Sequence, residues 1–203
     1  MRKLNKIGAP HYLKQNWKKW GKEWKLKYKD PNRNNNFEWK GHRDDLITNY
    51  LAKSTQGHCS FCDIDNIIIG ASATIEHFKP KHKYFNVAYH YNNLFNCCYE
   101  CQKKGKRYNK LLLKPDIQSY TFEAFFEIDI YNGKINPNSL KSQYNQDRAK
   151  ETIKLYGLNK GDKPLLRLRA LEFYLKHNTT INYNEIDNYS KLEDQLYFCI
   201  LAF

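Results

Sequence analysis

Apolar side chains recur early in the chain at Leu13, Trp17, Trp20 and Trp24, in steps of four, three and four. That rhythm gathers them on one face of a helix from Pro10 to Lys29, with lysines on its other sides. Tryptophans between lysines can stack on bases, but a stripe at helical spacing is first of all a buried face. Pro31 to Asn36 has loop composition. A second helix follows over residues 41–52, turning Leu46, Ile47, Tyr50 and Leu51 inward and stopping before Gly57. Farther on, the stretch from Ala124 to Tyr131 alternates in part and meets Asn132-Gly133. An Asn-Gly pair there signals a tight hairpin, its return strand starting over 134–136. Helices are then predicted over 147–156, closed by Gly157, and over 163–177, where Leu165, Leu168, Leu171 and Leu175 recur. Leu192, Leu196, Cys199 and Ile200 predict a last helix, and the chain stops on an apolar end that either docks in the core or meets a partner. Helices around a few short strands make the class α+β.

Composition narrows the partners. With 41% apolar and 15% aromatic residues, a packed core is within reach and global disorder is excluded. The net charge is +13 and unevenly spread. Residues 1–57, a basic helical N-terminal region, hold 14 Lys/Arg against 5 Asp/Glu; residues 58–116 hold 9 against 5; residues 117–203, hairpin plus helices, hold 11 against 11. A positive excess concentrated in the first half points to a polyanion, although a merely soluble basic protein would show the same total. No run of about 18 apolar residues occurs and the basic N-terminus lacks an apolar signal segment, so a membrane role is not expected and the cytoplasm is.

In a reducing compartment, Cys-x-x-Cys pairs read as metal ligands before disulfides. Cys59-Ser60-Phe61-Cys62 and Cys98-Tyr99-Glu100-Cys101 form two such pairs, 35 residues apart. Two residues between thiols let both sulfurs reach one tetrahedral ion, and four thiolates close the shell around a structural Zn²⁺ with no position for water. Cys97 could replace Cys98 in a Cys-x-x-x-Cys spacing; Cys98 is preferred, with Cys97 turned into the core. Cys199 reads as a small buried apolar residue.

Between the pairs, Ala73-Thr74-Ile75-Glu76-His77-Phe78-Lys79-Pro80-Lys81 sets an acid beside a histidine on strand-like sequence that Pro80 ends. An imidazole suits general-base chemistry near neutral pH, and a carboxylate suits Mg²⁺. Strand neighbours point to opposite faces, so Glu76 and His77 converge on one site only if the backbone distorts there. Downstream lies His90-Tyr91-Asn92-Asn93-Leu94, leading through the second cysteine pair to Gln102-Lys103-Lys104-Gly105.

Cys-x-x-Cys, then Glu-His-Phe-x-Pro-Lys, then Asn-Leu, then Cys-x-x-Cys and a lysine-glycine stretch resembles the HNH, or His-Me finger, endonucleases. In particular it resembles the HNH subunit of Septu-type and retron-associated anti-phage systems. The opening Met1-Arg2-Lys3-Leu4-Asn5-Lys6 with Pro10 and Trp24 is similar to that family, as are Thr152, Ile153, Leu155, Gly157, Leu158 and Asn159. The resemblance implies a zinc-stabilised, treble-clef-like ββα-metal finger embedded among helices. It implies that His77 activates water, that Asn93 holds the loop and orients the histidine, and that Glu76 and Gln102 bind a catalytic Mg²⁺ or other divalent ion. Gln102 stands where the family has His or Asn, and Gly105 where a lysine is common. Lys79, Lys81, Lys103, Lys104, Lys106 and Arg107 are candidate phosphate clamps. His82 and His90 could also touch phosphate, but structural or solvated roles are the plainer ones; His58 reads as an exposed loop residue. The implied activity is phosphodiester hydrolysis, on DNA in preference to RNA, with an ATPase subunit as partner. The contrasting possibility is a zinc-dependent nucleic-acid-binding module without catalysis.

Overall fold

The structure, a computed structural model, describes residues 1–64 and 73–177. The helix expected around Leu192 to Ile200 and the apolar end lie outside the described residues. Two compact units emerge, one of residues 4–60 and 73–110, the other of 1–3, 61–64 and 111–177. Among the described residues no helix is long and apolar enough to cross a membrane.

In the first unit, helix α1 spans His11–Lys29. The Pro10 carbonyl receives the first turn, from Leu13 and Lys14 at 3.1 Å each. Asp30 leaves the helix with ψ 114°, as expected for the residue before Pro31. Leu13 and Trp24 are buried; Trp17 and Trp20 pack half-buried against the same core, so the tryptophan stripe is a packing face. Helix α2 occupies residues 43–55, its middle, Leu46–Leu51, wound as a π-helix that buries Leu46, Ile47 and Leu51. It runs past the expected end and stops where Gln56 and Gly57 take positive φ, 53° and 81°. Strands β1 (Ala73–His77) and β2 (Leu94–Cys98) pair antiparallel from Ala73↔Cys98 to His77↔Leu94 without interruption. All of β2 is buried. The four-residue helix α3, Tyr99–Gln102, follows at once and turns Cys101 inward. Two strands and a short helix in this order form the ββα arrangement expected of the segment.

In the second unit, β3 (Phe126–Ile128) and β4 (Ile135–Pro137) pair antiparallel. Their connection is longer than a two-residue Asn-Gly turn. The Asp129 carboxylate accepts from Tyr131 N at 2.9 Å and from Asn132 Nδ2 at 2.6 Å, and Gly133 adopts φ 67°. Helix α4, Gln143–Tyr156, starts four residues before the expected point because Ser142 caps it, accepting from Asn145 N at 3.3 Å. Gly157 closes it in the left-handed region. Helix α5 spans Lys163–His177. The buried Lys163 ammonium donates to Gly157 O at 3.0 Å and covers the end of α4. Thr152 and Asn159 bind backbone here: Thr152 Oγ1 accepts from Leu113 N, and Asn159 pairs with both backbone groups of Ile135.

Candidate metal centre and active site

The register of β1 and β2 decides what the cysteines do. It carries Cys98 to the end of β2 and, through α3, Cys101 one turn on. The knuckle bearing Cys59 is fastened to β2 by Asn96, whose Nδ2 donates to Thr55 Oγ1 and His58 O while its carbonyl accepts from Ser60 N at 2.9 Å. The sulfurs of Cys59, Cys62, Cys98 and Cys101 lie within 4.8 Å of one another, and all four residues are buried. Four thiolates at about 2.3 Å from a tetrahedral ion stand about 3.8 Å apart, so the group fits a closed zinc shell. Cys98, not Cys97, completes it. The Cys97 thiol donates to Cys98 O, and burial raises its pKa well above the ordinary value. His58, expected in an exposed loop, is buried beside Cys59.

On β1, Glu76 and His77 obey ordinary strand alternation, since the pairing has no bulge. The His77 ring is only 6% exposed and donates from Nε2 to Ala88 O at 2.9 Å. A carbonyl can only accept, so the proton sits on Nε2 and the lone pair on Nδ1. Burial drives the pKa of this imidazole well below its ordinary value. Lys81 and Lys104 push the same way, and the Ala88 hydrogen bond opposes them. The base is therefore neutral. Asn93 fixes the loop that presents Ala88: its Oδ1 accepts from Lys79 N at 2.7 Å, and its Nδ2 donates to Lys79 O at 3.0 Å and Val87 O at 3.1 Å.

Two aromatic rings cover the imidazole. Trp39 stacks on it, centroids 5.4 Å apart and planes at 24°, and Phe37 meets it edge-on at 5.1 Å. The strap carrying them, residues 37–40, is pinned by the Lys27–Glu38 ion pair and by the Tyr89 hydroxyl donating to Glu38 O. Lys40 lies 3.8 Å from Glu23. Neither ring was a candidate in the sequence, where Phe37-Glu38-Trp39 has no motif.

Glu76 meets a cation that belongs to the chain. Lys104, expected as a solvent-facing phosphate clamp, has a fully buried side chain with Nζ 2.7 Å from Glu76 Oε1. The same ammonium reaches Arg107 O at 3.2 Å and the His77 and Phe78 carbonyls at 3.4 Å. Burial nevertheless raises the Glu76 pKa to about 7, against the opposing pull of Lys104. Gln102 points its amide nitrogen at Ile75 O, 3.3 Å away. The carboxylate is thus engaged by an ammonium and the amide by a backbone carbonyl. As placed, the pair does not fit a divalent ion.

The other candidate clamps divide. Lys79 and Lys106 are exposed. Lys103 is exposed and paired with Glu100, while Arg107 turns its guanidinium to the Lys103 and Lys104 carbonyls. Lys81 is half-buried with Nζ 4.5 Å from the Phe37 ring, and burial lowers its pKa. His90 packs edge-on against Trp17 at 4.4 Å. No protein-family model matches this chain, and no curated protein matches it.

Proposed function

We propose that this chain is an HNH-type endonuclease that hydrolyses phosphodiester bonds of nucleic acid, DNA in preference to RNA, with His77 as the base that takes a proton from water. The observation that carries the proposal is the linkage His77–Ala88–Asn93. On a ββα frame with a zinc-competent cysteine group, one asparagine holds the loop whose carbonyl fixes the tautomer of a neutral imidazole. Such a base is matched to proton abstraction near neutral pH. Reaching it requires the Phe37–Trp39 strap to leave the ring, so the described state is a covered one. The resemblance implies Mg²⁺, but no step is assigned to it, because Glu76 is held by Lys104. It also implies an ATPase subunit in an anti-phage complex, and the C-terminal docking surface proposed for it lies largely outside the described residues.

A second reading has its own support. Lys104 on Glu76 and the rings over His77 favour a non-catalytic, zinc-dependent nucleic-acid-binding module. Zinc-loaded protein incubated with supercoiled DNA and with RNA, with and without added Mg²⁺, separates the two. Strand cleavage that falls roughly 10²–10⁴-fold in a folded His77→Ala variant supports the base assignment. Unchanged cleavage in that variant rules it out. Binding without cleavage in wild type leaves the module.

A further inference from the structure

Helix α1 and the loop after β1 enclose a cavity of about 290 Å³ lined by Lys25, Lys79 and Lys83, with the Asn86 amide and the Tyr84 ring between them. No carboxylate is among the described residues that line it. Three ammonium groups around one small cavity repel one another, and an anion placed among them relieves that repulsion. The volume lies at the lower edge of small-ligand pockets, about 300 Å³, which suits one phosphate group and not a folded partner.

The walls are set by packing. A Cβ at Gly21 would stand 2.9 Å from Phe85 O, so glycine lets α1 approach the turn Phe85–Val87 closely. Lys25 lies four residues on, on the same face of α1. The opposite wall starts at Lys79 and ends at Val87, and the Asn93 amide ties both. Lys79 Nζ also sits 5.7 Å from the Tyr84 ring. Lys79 is only two residues beyond His77 in sequence, so the strand that presents the imidazole leads directly into this wall.

We propose that the cleft formed by Lys25, Lys79 and Lys83 seats a backbone phosphate of a nucleic-acid strand, next to the one offered to His77. The proposal rests on the reading that this chain acts on nucleic acid, and it adds contacts that no motif marked, Lys25 and Lys83. The ligand chemistry is a phosphate anion; a strand and free phosphate share it.

The test compares wild type with Lys25→Gln/Lys83→Gln, both exposed positions, and with a control pair elsewhere, Lys53→Gln/Lys134→Gln. All are full-length, zinc-loaded and free of added divalent ions. Affinity for a mixed-sequence duplex is read by fluorescence anisotropy from about 50 to 200 mM salt. The cleft variant is expected to bind at least tenfold more weakly, with the slope of log K against log salt reduced by roughly 1.8 for two lost phosphate contacts. The control is expected to stay within about twofold of wild type. Equal losses in both variants, or none in the cleft variant, overturn the proposal. So does saturable binding of inorganic phosphate at the cleft with unchanged duplex affinity, which marks a free-phosphate site. Binding is read without cleavage. A chain that binds through the cleft and never cuts sinks the nuclease reading alone, and one that cuts with cleft-variant affinity intact sinks this proposal alone.

Discussion

The two antiparallel pairs, β1–β2 and β3–β4, satisfy their polar groups by different means. Around β3–β4 the chain uses neutral amides and local turns. Asn159 binds both backbone groups of Ile135, Asn138 donates to Glu123 O, and Asp129 closes the connection from the exposed side. Around β1–β2 it buries ionisable groups instead: a carboxylate, an ammonium, an imidazole and the cysteine thiols. Burying such groups costs more than burying amides, and each must find a partner or change its protonation. A ladder needing only stability would be built the first way. The second way accepts that cost where metal binding or proton transfer is required, which is why the candidate chemistry belongs to β1–β2.

The largest test of that contrast is metal. Zinc affinity in small fingers corresponds to about 10–16 kcal/mol of folding free energy. Cys101→Ser is therefore expected to lose the bound zinc by elemental analysis and to expose β1 and β2 amides to hydrogen exchange, with β3 and β4 amides least affected. Equal exchange in both pairs would erase the distinction drawn here. Next comes Lys104→Met. Removing the ammonium leaves Glu76 buried without its partner, a loss of about 3–5 kcal/mol in denaturant titrations at saturating zinc. Adding Glu76→Gln should recover much of it; a double variant no better than the single one means that the pair is not what holds Lys104.

Part of this arrangement could be read in the sequence. Helix α1 and helix α5 follow from apolar spacing, and the cysteine group follows from its two pairs, because those signals are local and periodic. The start of α4 was missed since Gln143 to Gln146 carry no apolar period, and only the Ser142 cap marks it. Asn-Gly suggested a tighter hairpin than the one formed, because the Asp129 side chain competes for the turn's backbone. The site was legible only as a set of residues. That Glu76 meets Lys104 depends on strand register plus the turn of α3. That Phe37 and Trp39 cover His77 depends on a strap some forty residues away in the chain. Neither leaves a trace in spacing.

The smallest effect tests the two faces of β1 against each other through pH. Glu76 titrates at about 7 when folded, above the ordinary 4.5. From about pH 4.5 to 7 the folded chain holds a proton that the unfolded chain has released, so this group's contribution is present below 4.5 and is lost as pH rises through 7. His77 acts in the opposite sense. Its folded pKa lies well below 6.5, so its contribution is present above 6.5 and is lost as pH falls and the unfolded chain takes up a proton. Each slope is bounded by roughly 1 kcal/mol per pH unit, and between about 4.5 and 6.5 they oppose. Wild type should therefore show a shallow profile there, beyond the zinc site's own acid sensitivity, which the variants share. In unfolding titrations at saturating zinc, Glu76→Gln should steepen the rise of stability with pH below 6.5 relative to wild type. His77→Asn should tilt the profile downward up to about 7. If both variants run parallel to wild type, the two side chains are not buried in the protonation states their surroundings impose, and the assignment of a neutral base to His77 fails with them.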